Sequence, residues 1–523
     1  MTSTTSEGGP ATPRRGVLGG RRSGLLLHPT SLPGPHGIGD LGAGARAFLD
    51  FLSAAGQRLW QVLPLVPTGF GDSPYQGLGA FAGNALLLSP ERLAADGLLT
   101  GAELAAVPCL PPGPVDHAAT LAWSGPLLRT VAERFGARAA PELRRALERW
   151  REESAAWIGD HALFRALKDA HGGRAWTAWA PPLAARDPEA LAAARRRHRE
   201  EIEAEIVAQF LFDRQWMALR REASARGVLL LGDLPIYPAL DSAEVWARRD
   251  LFQLDPSGAP LAVAGVPPDY FSATGQRWGN PLYRWDDRLA GCVDLFAARV
   301  RAALRWTDAI RLDHFRGLES YWAIPAGAPT AEAGAWRPGP GAALLEALAR
   351  QLGPLPLVAE NLGVITPEVE ALRARFDLPG MAILQFAFGT DPRAPAFRPH
   401  AHVRDLVVYT GTHDNDTALG WWASDGGDST RTPQQVRREK ELARRYLATD
   451  GAEMNWVLLR AALASVADGA VAPLQDVLGL GSEARMNRPG VATGNWRWRF
   501  APGDLRPALA SRLGELAGLY DRA

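Results

Sequence analysis

Eight short apolar runs, many ending on a polar or charged residue, constrain this chain more than any other feature. They span residues 24–28, 59–67, 228–235, 309–314, 357–360, 381–386, 406–414 and 471–478. Several are continuous rather than alternating, as expected of parallel strands covered on both faces. Helical periodicity separates most of them, for example over 295–306, 342–351 and 367–375. Eight strands alternating with helices predict an α/β fold, a (β/α)8 TIM barrel, in which functional residues gather at the C-terminal ends of the strands. The charged run endings are where such residues would lie.

The second and third runs are too far apart for one crossover. Residues 85–226 between them are rich in Ala, Arg, Glu and Leu, with long helical stretches at 141–159 and 188–222. This segment is expected to be a mainly helical insertion subdomain. Residues 241–287, rich in Pro, Gly and aromatics, are expected to be a loop insertion. The barrel itself would then comprise 24–84 and 227–523. Residues 1–23 are polar and Gly-rich, and are expected to form a disordered tail. Their arginine pairs are not followed by the apolar stretch of an export signal. No segment approaches the roughly 18 apolar residues of a membrane span.

Lys+Arg and Asp+Glu both total 57 in 523 residues, so the formal net charge is zero. That gives no electrostatic case for a nucleic-acid or anionic-membrane partner and suits a neutral substrate. Two cysteines cannot build a disulfide framework, and no Cys/His cluster has metal-ligand spacing. No metal and no cofactor is expected, and a cytoplasmic setting follows from the cysteine usage.

Four run endings carry candidate chemistry. Arg311 and Asp313 stand two apart, hence on one face of a strand. Glu360 ends the run 357–360, Asp233 falls near the end of 228–235, and His413-Asp414 closes 406–414. A single acid at a strand end is at least as often a helix cap or a surface ion pair. Four in one barrel, one with an Arg two residues earlier and one beside a His, point instead to a site. Paired carboxylates are what glycosidic bond cleavage needs, and an adjacent guanidinium would keep one of them ionised.

The order Gly232-Asp233, Arg311-Leu312-Asp313-His314, Glu360-Asn361-Leu362-Gly363, His413-Asp414 resembles the four regions of the α-amylase clan. Residues 28–34, 71–76, 265–271, 275–281, 409–417 and 481–487 narrow the resemblance to amylomaltases, the 4-α-glucanotransferases of glycoside hydrolase family 77. The likeness runs from about residue 24 to about 500. It implies a barrel without a C-terminal β-sandwich. It implies Asp313 as nucleophile, Glu360 as general acid/base and Asp414 as transition-state stabiliser. Tyr75, Asp233, Trp278, Arg311, His413 and Asn487 would bind substrate, with Tyr75 as a platform under a sugar ring. Maltooligosaccharides and α-1,4-glucans would serve as donor and acceptor. A plain α-glucan hydrolase sharing the covalent intermediate is the alternative enzyme. A silent glucan-binding protein is the alternative from another class. Three positions depart from the family pattern: Asn361 stands where Asp is usual, and Phe70 and His117 replace tyrosines associated with an accessory glucan contact.

Overall fold

The computed structural model describes residues 16–268, 272–426 and 431–523. Among them, eight parallel strands form one sheet: β1 (Arg22–Leu26), β2 (Leu59–Gln61), β3 (Leu229–Pro235), β6 (Ala309–Asp313), β9 (Leu357–Ala359), β10 (Gly380–Ile383), β11 (Leu406–Tyr409) and β12 (Gly469–Pro473). Their order is β10-β11-β12-β1-β2-β3-β6-β9. Ala359 N donates to Pro379 O at 2.8 Å, which ties the two end strands together and closes the barrel. Each of the eight apolar runs overlaps one strand, although β1, β10 and β12 begin one or two residues before their runs. All eight strands feed one interior cluster, through Leu26, Leu59, Leu231, Ala309, Val358, Met381, Val407 and Val471. Burial of that interior and of the helix-covered outer face is why the runs are continuous rather than alternating.

Helices form the outer layer. Leu289–Trp306 packs against β3, β6 and the helix Gly341–Leu352. Ala43–Ala54, the first helix of the outer layer, packs on Pro507–Leu519, the last. Between β2 and β3 the chain is mostly helical. The expected helical stretch 188–222 splits at His198 into Pro188–Arg197 and Arg199–Ala225, and the second of these reaches β3 and serves the barrel.

Two expectations change. The first concerns the N-terminal boundary. Residues 16–23, expected in the tail, are held to the barrel. β1 begins at Arg22, paired with Gly469 of β12. Leu18 is buried in the interior cluster, and Arg21 donates to Ser465 O and Tyr520 O at 2.8 and 3.1 Å. Strand pairing and one buried leucine outweigh the polar composition. Residues 1–15 lie outside the described residues.

The second concerns the 241–287 segment, read as a loop. It carries β4 (Ala262–Val266) and β5 (Gln276–Pro281), which join β7 (Ser320–Pro325) and β8 (Ala335–Pro338) in an antiparallel sheet ordered β5-β4-β7-β8. β7 starts just after β6 ends, so this sheet is held over the C-terminal end of the barrel. Pairing with strands contributed from after β6 stabilises runs too short and too rich in Gly and Pro to be recognised alone. Residues 269–271 of this segment lie outside the described residues. Among the described residues, no helix is long and apolar enough to cross a membrane.

Candidate active site

The C-terminal ends of the barrel strands open into a cleft of about 960 Å³. Tyr75, Trp278, Arg311, Asp313, Glu360, His413, Asp414 and Asn487 all line it. Asp233 does not. Its side chain is fully covered, and it reaches the cleft only through its neighbours.

β3 and β6 set the first part of the site. Their register pairs Asp233 with Arg311 and Pro235 with Asp313. Arg311 Nε donates to Asp233 Oδ2 at 2.8 Å, and Arg311 Nη2 donates to Asp313 Oδ1 at 2.8 Å. Tyr75 OH donates to Asp233 Oδ2 at 2.9 Å and accepts from Arg311 Nη2 at 3.2 Å. One buried guanidinium therefore serves two carboxyls. Burial raises Asp233 to about 7, against the pull of Arg311. Burial also raises Asp313, with Arg311 again opposing and Asp414 adding to the rise. Asp313 remains open to the cleft, with 29 % of its side chain exposed.

Glu360 follows β9 in different surroundings. Its Oε2 accepts from His314 N at 2.8 Å and its Oε1 from Leu362 N at 3.0 Å. His314 adopts a left-handed conformation, φ 54°, which costs about 1–2 kcal/mol for an L-residue. That turn, directly after Asp313, delivers the peptide N–H to Glu360 and so couples the two acids. Burial and then the charge of Asp313 push Glu360 up to about 7, although Arg311 and the two N–H groups favour its ionised form. Asp313 touches a guanidinium and Glu360 does not, so the pair's last proton belongs on Glu360.

The loop after β11 supplies the third part. Asp414 Oδ1 accepts from Asn487 Nδ2 at 2.6 Å. Its backbone oxygen accepts from Arg485 Nη2 at 2.7 Å, and its side chain is 46 % exposed. Burial lowers His413 to about 4, so the imidazole is neutral at pH 7. Its ring stacks on Tyr75, with centroids 5.1 Å apart and planes at 15°. Trp496 lies against both rings, at 5.7 and 5.9 Å. Trp278, on β5, meets His314 edge-on at 4.8 Å, which brings the roof sheet to the turn between the two acids. Gln76 Nε2 donates to Asn280 Oδ1 at 3.0 Å and ties that roof to the β2 side.

Asn361 points away from this chemistry. Its Nδ2 donates to Glu370 Oε1 at 2.7 Å and its Oδ1 accepts from Met381 N at 2.8 Å. Phe70 is 78 % exposed and lines the cleft, whereas His117 is buried at the start of the helix His117–Arg138. Among the described residues, no group of three or more His, Cys, Asp or Glu side chains could hold a metal ion. Residues that sequence reasoning gave no role include Trp496, which backs Tyr75 and His413, and Gln385, whose Nε2 donates to Asp416 O at 2.9 Å. Neither carries a charge at a strand end, and Trp496 comes from a loop remote in sequence. His314, quoted within a motif, also had no role assigned to its peptide N–H.

Residues 27–505 match the family model described as 4-alpha-glucanotransferase. The chain is 51 % identical over 511 residues to the 4-alpha-glucanotransferase of Thermus thermophilus, covering 96 % of this chain and 99 % of that protein. It is 45 % identical over 510 residues to the 4-alpha-glucanotransferase of Synechocystis sp., covering 97 % and 99 %. Among solved structures, the amylomaltase from Streptococcus agalactiae in complex with acarbose superposes with a TM-score of 0.90 at 36 % identity, covering 96 % of this chain and 100 % of that one.

Proposed function

The chain belongs to the 4-alpha-glucanotransferase family and is a 4-α-glucanotransferase, and on that premise we propose how its own residues carry the transfer. Maltooligosaccharides and longer α-1,4-glucans serve as both donor and acceptor, and the reaction proceeds by double displacement. The observation that carries this reading is the unequal treatment of two carboxyls in one cleft. Asp313 is gripped by Arg311, while Glu360 is held by two peptide N–H groups and pushed up to about 7.

In the first step an Asp313 carboxylate oxygen attacks the anomeric carbon of the donor. The bond from that carbon to the glycosidic oxygen breaks, and the Glu360 carboxyl proton passes to the departing 4-oxygen. The product is a β-linked glucosyl ester on Asp313. In the second step the 4-hydroxyl of an acceptor glucan gives its proton to the Glu360 carboxylate. Its oxygen forms the new bond at the anomeric carbon, and the ester bond breaks to release Asp313. Two inversions restore the α linkage. One α-1,4 bond is broken and one made, so no nucleotide sugar or other cofactor takes part.

Asp414, exposed to the cleft and oriented by Asn487, grips sugar hydroxyls whose contacts strengthen as the oxocarbenium-like transition state forms. Neutral His413 supplies a hydrogen-bond partner beside it. Tyr75 presents a ring fixed by His413 and Trp496. Asp233 acts one step back, holding Arg311 rather than touching the sugar. Trp278 on the roof sheet, with Asn487, holds the glucan across the cleavage point. A held acceptor outcompetes bulk water because positioning supplies effective molarities of about 10⁵ M or more. Pockets for small molecules span about 300–1,000 Å³, so a cleft of about 960 Å³ suits an oligomer better than one ring. Residues 85–226 act as a helical insertion beside this barrel. Both cysteines are free thiols, which suits a cytoplasmic setting.

Incubation with maltotriose alone tests the reading. Glucose and a ladder of longer maltooligosaccharides should appear, with almost no net gain in reducing ends. Reducing ends rising in step with maltotriose loss, without longer products, would make the chain a hydrolase.

A further inference from the structure

Residues 410–417 run without regular structure from β11 to the helix Ala418–Ala423, and they carry His413 and Asp414 at their middle. A loop of this kind has no ladder of its own to hold it, yet Asp414 must meet its sugar hydroxyls within fractions of an ångström. Local bonds fix parts of it. Asn415 Oδ1 accepts from Thr412 N and Thr412 Oγ1, both at 2.9 Å. Ser482 Oγ donates to Asp416 Oδ2 at 2.6 Å.

The two ends of the loop converge on one side chain. Asp476 sits in the helix Leu474–Leu478, immediately after β12, and is 1 % exposed. Its Oδ2 accepts from Thr410 Oγ1 at 2.5 Å, where the loop leaves β11. Its Oδ1 accepts from Ala418 N at 2.7 Å, where the loop enters the next helix. Asn455 Nδ2 donates to Asp476 O at 2.8 Å and fixes the backbone that carries the carboxyl. Both partners of the carboxyl are neutral groups, a hydroxyl and a peptide N–H. Burial raises Asp476 to about 6 in spite of them. Burying a carboxylate without a cation is costly, and a single helix N–H could be capped by Ser, Thr or Asn. What a carboxyl adds here is two acceptor oxygens on one rigid plane, one for each end of the loop.

We infer that Asp476 is a positioning residue for glucan transfer, clamping Thr410 to Ala418 so that the intervening loop holds Asp414 in register with Asp313 and Glu360. The inference rests on the proposed role of Asp414. It predicts damage to turnover rather than to ground-state binding, since Asp414 contributes most in the transition state.

Asp476→Ala, Asp476→Asn, Thr410→Val, Thr410→Ser and Asp414→Asn are to be compared on maltotriose. Turnover is expressed per active site, titrated from the fluoride burst of an α-glucosyl fluoride donor; for any variant without a burst, the folded fraction from thermal unfolding serves instead. Asp476→Ala is expected to lower kcat on the order of 100-fold, with KM changed less than about threefold. Thr410→Val, which frees one end only, should lower kcat on the order of tenfold. Thr410→Ser restores the hydroxyl and should recover most of that loss. Asp476→Asn keeps one acceptor for Ala418 N and can donate to Thr410 Oγ1, so it should stay within about tenfold of the parent. A merely structural aspartate would lower the unfolding temperature and the number of active sites, yet leave kcat per site intact. Asp476→Ala and Thr410→Val both near parental kcat, beside an inactive Asp414→Asn, would overturn the clamp alone. If Asp476→Ala does not fold, the Thr410 pair decides. A fully active Asp414→Asn would instead remove the role of Asp414, and the clamp with it.

Discussion

Asp233 and Arg311 are direct partners across β3 and β6, and Arg311 Nε donates to the fully covered Asp233 carboxyl at 2.8 Å while its Nη2 reaches Asp313. The guanidinium is thus aimed from below, and its position does not depend on substrate. Replacing Arg311 by Met leaves two carboxyls without their cation. Asp313 then ionises only at higher pH. Its carboxylate is the required form, so the acidic limb of kcat/KM should move up by about 1–3 pH units. The alkaline limb should follow more weakly, because Arg311 also favours the ionised form of Glu360. An acidic limb unmoved in a folded Arg311→Met protein would separate Arg311 from the ionisation of Asp313.

Glu360 must be protonated when the donor bond breaks. Its pKa is raised, so the active form is present at lower pH and is lost as pH rises through about 7. For maltotriose, kcat/KM should therefore fall above about pH 7, approaching tenfold per unit. An α-glucosyl fluoride donor expels fluoride without needing that proton, so its glycosylation step should lack this limb. A limb that persists with the fluoride, measured by the fluoride burst, would assign it to another group.

The family's usual Asp at position 361 suggests that Asn361→Asp would raise the pKa of Glu360. The structure argues otherwise. The amide of Asn361 donates to Glu370 and accepts from Met381 N, away from the cleft. A carboxylate there keeps the Met381 bond but confronts Glu370 and loses a donor. We expect an unchanged alkaline limb and a stability loss of about 1–3 kcal/mol. Chemical denaturation and a pH–rate profile of the same protein test both halves.

Trp278 stands on β5 and touches the turn at His314. Trp278→Ala should weaken acceptor binding more than cleavage. Transfer should fall on the order of tenfold or more, with hydrolysis little changed or raised. Equal losses in transfer and hydrolysis, read from oligosaccharide products against reducing ends, would place Trp278 on the donor side or in the fold alone.

The barrel was legible because parallel strands covered on both faces leave continuous apolar runs, and each of the eight runs overlaps a strand. Acids at strand ends were legible for the same reason, since the end of a run is visible in sequence. The roof sheet was not. β4 and β5 are stabilised by β7 and β8, which follow β6 in the chain, and such pairing leaves no local mark. Asp233 was legible as a site residue but not as one buried beneath Arg311, because strand register is not written in a single run. The turn at His314 was hidden as well, for nothing in a histidine announces a left-handed backbone. The N-terminal boundary failed because composition over 16–23 masks one buried leucine and one strand pair.

The most direct measurement is mass analysis of Glu360→Gln treated with an α-glucosyl fluoride donor. Fluoride departs without acid help, so Asp313 can still form its ester. Without the Glu360 carboxylate to deprotonate an acceptor, the ester should persist. We predict that the protein gains the mass of the donor glycosyl unit, and that the peptide containing Asp313 bears it at that residue. Addition of a strong small nucleophile such as azide, which takes the acceptor's place on the face opposite Asp313, should release it as the α-azide. A folded Glu360→Gln protein that carries the sugar on Asp414, or that releases fluoride in a burst with no ester formed at Asp313, would contradict the account.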